Sequence, residues 1–146
     1  MIRIAKLTDY AIVLLTYVVN ESAPIQNARD LSVASRIPLP TVSKILKSLS
    51  KSGILTSLRG TKGGYGLARE AREVSVADII AALEGPIAVT ECSAVFAHGC
   101  QIELGCPARS NWQKINSAVR GALSQLTLAE MSQPLPVTWN RPESRV

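Results

Sequence analysis

The sequence predicts a mainly α-helical fold with one small β-hairpin and a long helix near the C-terminus. Apolar residues recur at steps of three and four along several stretches, which is typical of amphipathic helices. A β-rich stretch around a Gly-rich turn, residues 54–67, is typical of a hairpin. The chain has 146 residues, 47% of them hydrophobic. We therefore expect one modest core with an appended element.

Two helices are predicted in the first 36 residues. The first covers residues 5–20, and its apolar face consists of Leu7, Ala11, Leu14, Leu15, Val18 and Val19. The second runs from Asn27, a suitable N-cap, to Arg36. The apolar run of the first helix is too short to cross a membrane, and no signal-peptidase cleavage site follows it. We therefore expect a cytoplasmic protein without a membrane partner.

A third helix is predicted from Pro40 to Ser52, with Gly53 as its C-cap. Its apolar face consists of Val42, Ile45, Leu46 and Leu49. Its opposite face has three cations, three hydroxyls and no acid: Thr41, Ser43, Lys44, Lys47, Ser48 and Lys51. An ordinary solvent-facing surface mixes both signs of charge, so this face indicates contact with a polyanion.

The predicted hairpin directly follows this helix–turn–helix, which is the position of the wing in a winged-helix DNA-binding domain. Arg59 and Lys62 would lie at the tip, where they could reach phosphates or a minor groove. The turn lies between strands rather than before a helix, which disfavours a nucleotide-binding loop. Residues 1–72 hold 11 Lys/Arg against 4 Asp/Glu, as expected of a nucleic-acid-binding unit. The predicted DNA contacts are Pro40, Thr41, Ser43, Lys44, Lys47, Arg59 and Lys62.

The second half of the chain predicts a fourth helix at 75–83, opened by a capping-box-like Ser75–Asp78 pair, and a long helix at 108–126. An apolar stripe on the long helix predicts pairing with a second copy, or else packing on its own domain. Its members are Trp112, Ile115, Val119, Ala122 and Leu126. The predicted units are a winged-helix domain (1–84), a cysteine loop (85–107), a dimerisation helix (108–131) and a flexible tail (132–146).

All three cysteines, Cys92, Cys100 and Cys106, lie in that loop. An odd number of cysteines in one short stretch is unlike a secreted disulfide framework. Three soft thiolates suit an iron–sulfur cluster whose last ligand is a weaker donor, and no pair has zinc-knuckle spacing. Another metal, a thiol sensor and inert reduced thiols are the alternatives. An enzyme with Cys92 as nucleophile and His98 as base is disfavoured because no orienting acid is evident.

Several motifs resemble one family of transcription regulators. Residues 7–11 (LTDYA), 59–65 (RGTKGGY) and 75–80 (SVADII) are similar to the IscR/NsrR-like, iron–sulfur-binding winged-helix regulators. Residues 39–44, 83–87 and 106–112 most resemble the branch that regulates the SUF cluster-assembly genes, and the resemblance covers residues 1 to about 131. It implies a homodimeric repressor of double-stranded operator DNA, crossed by the long helices. The three cysteines would hold an iron–sulfur cluster, with 2Fe-2S favoured and 4Fe-4S as the alternative.

The chain departs from that family in two places. Seven residues separate Cys92 from Cys100 where IscR-like members tend to have five, and Arg109 stands where they offer a histidine ligand. NsrR-like members use an acid at the start of the first helix, supplied by the partner subunit, and Asp9 matches that position. The resemblance therefore implies Asp9 as fourth ligand, with His98 and Glu103 as alternatives. Asp9 could instead only stabilise the first helix, through the favourable interaction of a carboxylate with the helix dipole. The alternative function is a thiol-redox or nitrosative-stress sensor without a cluster.

Overall fold

The computed structural model describes residues 2–94 and 100–134. Within them the α-helices are Lys6–Asn20 (α1), Ala28–Ser35 (α2), Leu39–Lys51 (α3), Val76–Glu84 (α4), Arg109–Gln125 (α5) and Leu128–Met131 (α6). The strands Leu55–Leu58 (β1) and Gly64–Leu67 (β2) pair antiparallel, with Leu55 opposite Leu67. Short 3₁₀ turns lie at Ala71–Glu73, Glu91–Ser93 and Glu103–Gly105. The predicted mainly helical fold with one hairpin is confirmed.

The hydrophobic core lies where α1, α3 and α4 meet. The apolar stripe predicted for α3 is completely buried, and most of the stripe predicted for α1 is buried as well, with Leu7 and Val19 half-buried. Burial of these stripes supplies the main driving force for folding. It also forces the opposite, hydrophilic face of α3 toward solvent.

The turn between α2 and α3 is fixed by side chains. Asn27 caps α2 by accepting a hydrogen bond from the Asp30 amide at 2.8 Å, as predicted. Arg36 ends α2 in the left-handed conformation, with φ of 58°. The Ser32 hydroxyl donates to the Ile37 carbonyl at 2.6 Å, and the Ile37 side chain is buried in the core. These contacts set the angle at which α3 leaves α2.

The hairpin is joined to the loop before α2 by a contact that the sequence did not predict. The Gln26 amide donates to the Tyr65 carbonyl at 2.9 Å, and the Tyr65 amide donates back at 2.8 Å. A Cβ atom on Gly66 would lie 2.5 Å from the Pro24 carbonyl oxygen, which explains why glycine occupies that position. β2 is therefore anchored to the loop before α2, and β1 contacts α3.

Helix ends differ from the predictions in two places. α3 ends at Lys51 with Ser52 as its C-cap, and Gly53, the predicted cap, lies one residue further on with φ of 79°. The chain from 108 to 131 forms two helices rather than one. Leu126 ends α5 in an extended conformation, and its carbonyl accepts a hydrogen bond from the Val76 amide at 2.9 Å.

The short helix α6 returns the chain to the core. Leu128 is completely buried, and α6 contacts α1. Thr127 caps α6, and its amide and hydroxyl both donate to Glu130, which holds the pKa of that carboxyl below its usual value. The end of the long helix is therefore tied to the winged-helix domain. Within the described part of the chain, no helix is long and apolar enough to cross a membrane.

Candidate DNA-binding face and cysteine segment

The solvent-exposed side of α3 forms what we call the basic face, made of Thr41, Ser43, Lys44, Lys47, Ser48 and Lys51. The three lysines are exposed, the three hydroxyl residues are half-buried, and Pro40 is exposed in the first turn. The ion pairs in the described residues join Arg69 to Asp78, Arg72 to Glu70 and Arg109 to Glu103. No acid in that part of the chain therefore neutralises the basic face.

The tip of the hairpin extends this positive surface. Arg59 and Lys62 are both exposed, and neither takes part in an ion pair within residues 2–94 and 100–134. The tip closes through a hydrogen bond from the Gly63 amide to the Gly60 carbonyl at 3.0 Å, with Gly60 at φ of 113°. β1 contacts α3 and leads directly into the tip. A helix face and a hairpin tip with this charge suit the major groove and the adjacent backbone or minor groove of DNA.

The three cysteines lie in the cysteine segment, residues 85–107, between α4 and α5. All three are free thiols and half-buried. Cys92 lies in the turn Glu91–Ser93, with its Sγ 3.3 Å from the Thr90 hydroxyl. Cys106 follows the turn Glu103–Gly105, and its carbonyl accepts a hydrogen bond from the Arg109 amide at 3.4 Å. The first cysteine therefore lies in a 3₁₀ turn, and the third directly follows one.

Asn116 anchors the start of the cysteine segment, a role that the sequence did not predict. It is the one buried residue of α5, with 7% of its surface exposed. Its Oδ1 accepts from the Val89 amide at 3.0 Å, and its Nδ2 donates to the Ile87 carbonyl at 3.4 Å. The signal in the sequence is an amide side chain among the apolar positions of an amphipathic helix. The turn that carries Cys92 also contacts α5.

Asp9 is exposed in the first turn of α1. That turn lacks a side-chain cap from Ala5, and Glu84 supplies the missing acceptor. One Glu84 carboxylate oxygen accepts from the Ala5 amide at 3.1 Å and from the completely buried Thr8 hydroxyl at 2.6 Å. The last residue of α4, next to the cysteine segment, therefore holds the turn that carries Asp9.

The predicted cluster ligands that the structure describes are not grouped into a metal site within one chain. Among residues 2–94 and 100–134, no three His, Cys, Asp or Glu side chains are grouped so that they could hold a metal ion. Of the predicted alternatives, Glu103 is paired with Arg109, and His98 lies outside the described residues. The donor chemistry still fits an iron–sulfur cluster, because three free, half-buried thiols occur in one short segment.

The apolar stripe of α5 lines an open groove of about 710 Å³. Trp112 and Ile115 remain 37% and 43% exposed. Ala122 and Leu126, which the sequence placed in the stripe, are exposed and do not line the groove, whereas Leu123 does. The groove is completed by apolar residues from the N-terminus and from the region around the end of α4: Ile2, Ile4, Ile80, Ile87 and Val89. Pairing of two such helices stays a prediction.

Comparison with known proteins identifies the family. Residues 4–134 match the Rrf2 family, described as "Iron-dependent Transcriptional regulator". The chain belongs to the Rrf2 family. It is therefore a winged-helix, DNA-binding transcription regulator, and the predicted resemblance to IscR-like regulators is confirmed.

Individual Rrf2 relatives support this assignment. IscR of Cronobacter sakazakii is 30% identical over 112 residues, which make up 77% of this chain and 67% of that protein. The structure of T. potens IscR is 26% identical with a TM-score of 0.66, covering 89% of this chain and 85% of that one. Oxidised Staphylococcus aureus CymR is 25% identical with a TM-score of 0.67, covering 92% and 99%. The chain spans between 58% and 67% of the length of the first curated relatives it matches.

Proposed function

We propose that this Rrf2 protein is a cytoplasmic, homodimeric repressor whose affinity for operator DNA is set by an iron–sulfur cluster. We further propose that it controls genes for iron–sulfur cluster assembly of the SUF type. The observation that carries the proposal is the position of the three free thiols. They lie in the segment that joins the winged-helix domain to α5, so a cluster held by them would act directly on the connection between α4 and α5.

DNA would be read by the basic face and the hairpin tip. Thr41, Ser43, Lys44 and Lys47, preceded by Pro40, would face the major groove, and Arg59 and Lys62 the backbone or minor groove. The absence of neutralising acids among the described residues around these cations supports this assignment. Two copies related by two-fold symmetry would bind a palindromic site.

The second copy would cover the α5 groove. Trp112, Ile115 and Val119 leave an apolar surface open in one chain, and such surfaces at helix faces are typical of subunit interfaces. In the homodimer we place Ala122 and Leu126 beside this stripe, at the edge of the interface. The α5 helices would then cross and carry the two winged-helix domains at a fixed spacing.

The cluster would be held by Cys92, Cys100 and Cys106. When bound, an iron–sulfur cluster supplies a redox-active centre that is open to loss or modification. Asn116 and Thr90 would hold the Cys92 end of the segment in place. We favour a 2Fe-2S cluster, with 4Fe-4S as the alternative; three thiolates and one hard donor would supply the four ligands that either cluster takes.

Asp9 of the partner subunit is proposed as the fourth ligand. A carboxylate is a hard, exchangeable donor, so Asp9→Ala should still acquire a cluster, with a shifted visible spectrum and faster loss in air. His98→Ala should change little. If Asp9 served only the helix dipole, its replacement would cost about 0.3–1 kcal/mol of stability and leave the spectrum unchanged. A spectrum perturbed by His98→Ala but not by Asp9→Ala would contradict the assignment.

The experiment that tests the proposed cofactor is anaerobic purification followed by a visible spectrum and iron and sulfide analysis. The parent protein should be coloured and should lose its absorbance on treatment with a chelator. Replacing any one of the three cysteines by serine should prevent stable assembly, because two thiolates are too few strong donors. A parent protein that contains no iron and sulfide when purified and reconstituted anaerobically would contradict the proposal.

A thiol-redox or nitrosative-stress sensor is the second candidate function. It is favoured by the free, half-buried state of the three cysteines and by the similarity to oxidised CymR. This candidate predicts a colourless protein whose DNA affinity changes when its thiols are oxidised. Mass spectrometry of the oxidised protein would then find a disulfide or a modified cysteine.

A further inference from the structure

Arg109 and Glu103 form an ion pair around Cys106. Arg109 is the first residue of α5 and lies three positions after Cys106, while Glu103 lies three positions before it. The Arg109 Nη2 atom is 2.9 Å from Glu103 Oε1, and the two side chains are 43% and 23% exposed. This partial burial distinguishes the pair from the more exposed Arg72–Glu70 pair, at 75% and 63%.

Backbone hydrogen bonds join the same three residues. The Cys106 amide donates to the Glu103 carbonyl at 3.5 Å, and the Arg109 amide donates to the Cys106 carbonyl at 3.4 Å. The side-chain ion pair therefore links the two residues, Glu103 and Arg109, that the backbone hydrogen bonds already connect through Cys106. Cys106 is held between the turn Glu103–Gly105 and the first turn of α5.

One N–H donor of the Arg109 guanidinium has no acceptor among the described residues. Its Nε atom is buried and has no hydrogen-bond partner among the described residues. Buried donors are nearly always satisfied, so this atom calls for an acceptor that is not among the described residues, such as water or a bound group. Cys106 lies three positions before Arg109, and its thiol, as a thiolate or cluster ligand, becomes a hydrogen-bond acceptor.

We propose that Arg109 and Glu103 are positioning residues for Cys106: the ion pair holds the Cys106 turn, and the Arg109 Nε donates to sulfur when the cluster is bound. This inference rests on the proposed iron–sulfur function. It gives Arg109 a role at the position where IscR-like members have a ligand. It also makes Glu103 a partner of Arg109 rather than the fourth ligand.

Three variants separate the two parts of the proposal. Glu103→Gln removes the ion pair but keeps the Nε donor, Arg109→Lys keeps the charge but removes Nε, and Arg109→Gln removes both. Arg120→Gln, which changes an exposed arginine on the same helix, is the matched control. The measurements are the rate of cluster loss to an anaerobic chelator and the reduction potential of the bound cluster. Thermal unfolding of each cluster-free variant reports whether it folds.

We expect Glu103→Gln to lose its cluster roughly tenfold faster than the parent, without a lower potential. Replacing residues that orient metal ligands typically costs about 10- to 100-fold in metal affinity. Arg109→Lys should have a lower potential, because hydrogen bonds to sulfur raise it, with a loss rate near the parent value. Arg109→Gln should show both effects, and Arg120→Gln neither.

Two outcomes would overturn the inference while leaving the cluster in place. One is a parent-like loss rate and potential in all three folded variants. The other is a changed visible spectrum in Glu103→Gln alone, which would make Glu103 a ligand. A parent protein without any cluster would instead refute the proposed function, and this inference with it.

Discussion

Lys47 and Arg59 have the same charge but lie in different structural settings. Lys47 is exposed near the middle of α3, on a helix whose opposite face is completely buried. Arg59 is exposed directly after β1, at the tip of the hairpin. A lysine on a rigid helix face acts mainly as a point charge, whereas an arginine at a tip can present several donors to a narrow groove.

The two settings predict different effects on DNA binding. Arg59→Ala should weaken operator binding by about 1–3 kcal/mol if the guanidinium reads a base edge or a narrow groove. Lys47→Ala should weaken binding to all sequences alike and reduce its salt dependence. Fluorescence anisotropy with operator and unrelated DNA at several salt concentrations measures both effects. Lys114→Ala, on α5, is the control. Parent-like affinity in both test variants would contradict the assigned DNA-binding surface.

At the scale of elements, the hairpin depends on glycines that allow close backbone approach. Gly66→Ala would place a Cβ atom 2.5 Å from the Pro24 carbonyl oxygen and 2.9 Å from Ile25 Cδ1. We expect a loss of about 1–3 kcal/mol in the free energy of unfolding. Gly121→Ala, in the exposed part of α5 with no atom within 4 Å, should stabilise by about 0.5–1 kcal/mol. Urea denaturation measures the free energy of unfolding of both variants. A Gly66→Ala protein as stable as the parent would refute the close approach of Gly66 to the Pro24 carbonyl.

Elements specified by local patterns were predictable, and contacts between distant segments were not. The stripes of α1 and α3, the Asn27 cap and the Ser75–Asp78 capping box all depend on residues within a few positions of one another. The Gln26–Tyr65 pairing depends on tertiary placement, as does the return of Leu128 to the core. The Thr127–Glu130 capping box was a local signal for α6 that the sequence interpretation missed.

The candidate site divides in the same way. Charge and periodicity on α3 predicted the basic face, because the side of an amphipathic helix opposite its buried stripe must face solvent. The hydrogen bond from the Thr8 hydroxyl to the Glu84 carboxylate spans 76 positions and has no local signature. The cysteines could be found from the sequence, but the convergence that we propose for their thiols could not, because it depends on the fold of the whole segment and not on local spacing. In our proposal, it also depends on Asp9 of the partner subunit.

At the scale of the whole molecule, the proposal requires two copies joined through α5. Val119→Asp should dissociate the dimer or prevent folding, because an unpaired buried charge costs about 3–5 kcal/mol. Ser117→Asp, an exposed position on the same helix that does not line the groove, should leave the assembly unchanged. Sedimentation equilibrium gives the mass of each protein. A monomeric parent, or an intact dimer in Val119→Asp, would contradict pairing through the groove.

In our proposal, the cysteine segment controls DNA binding through a bound cluster. The most direct test compares the affinity of one protein preparation for SUF-promoter DNA before and after anaerobic removal of the cluster, at constant salt. Coupling between two sites in a protein typically changes affinity by roughly 5- to 150-fold. We predict a change within that range, and we predict that Cys106→Ser behaves like the cluster-free form. Equal affinity of the cluster-bound and cluster-free forms would contradict control of DNA binding by the cluster.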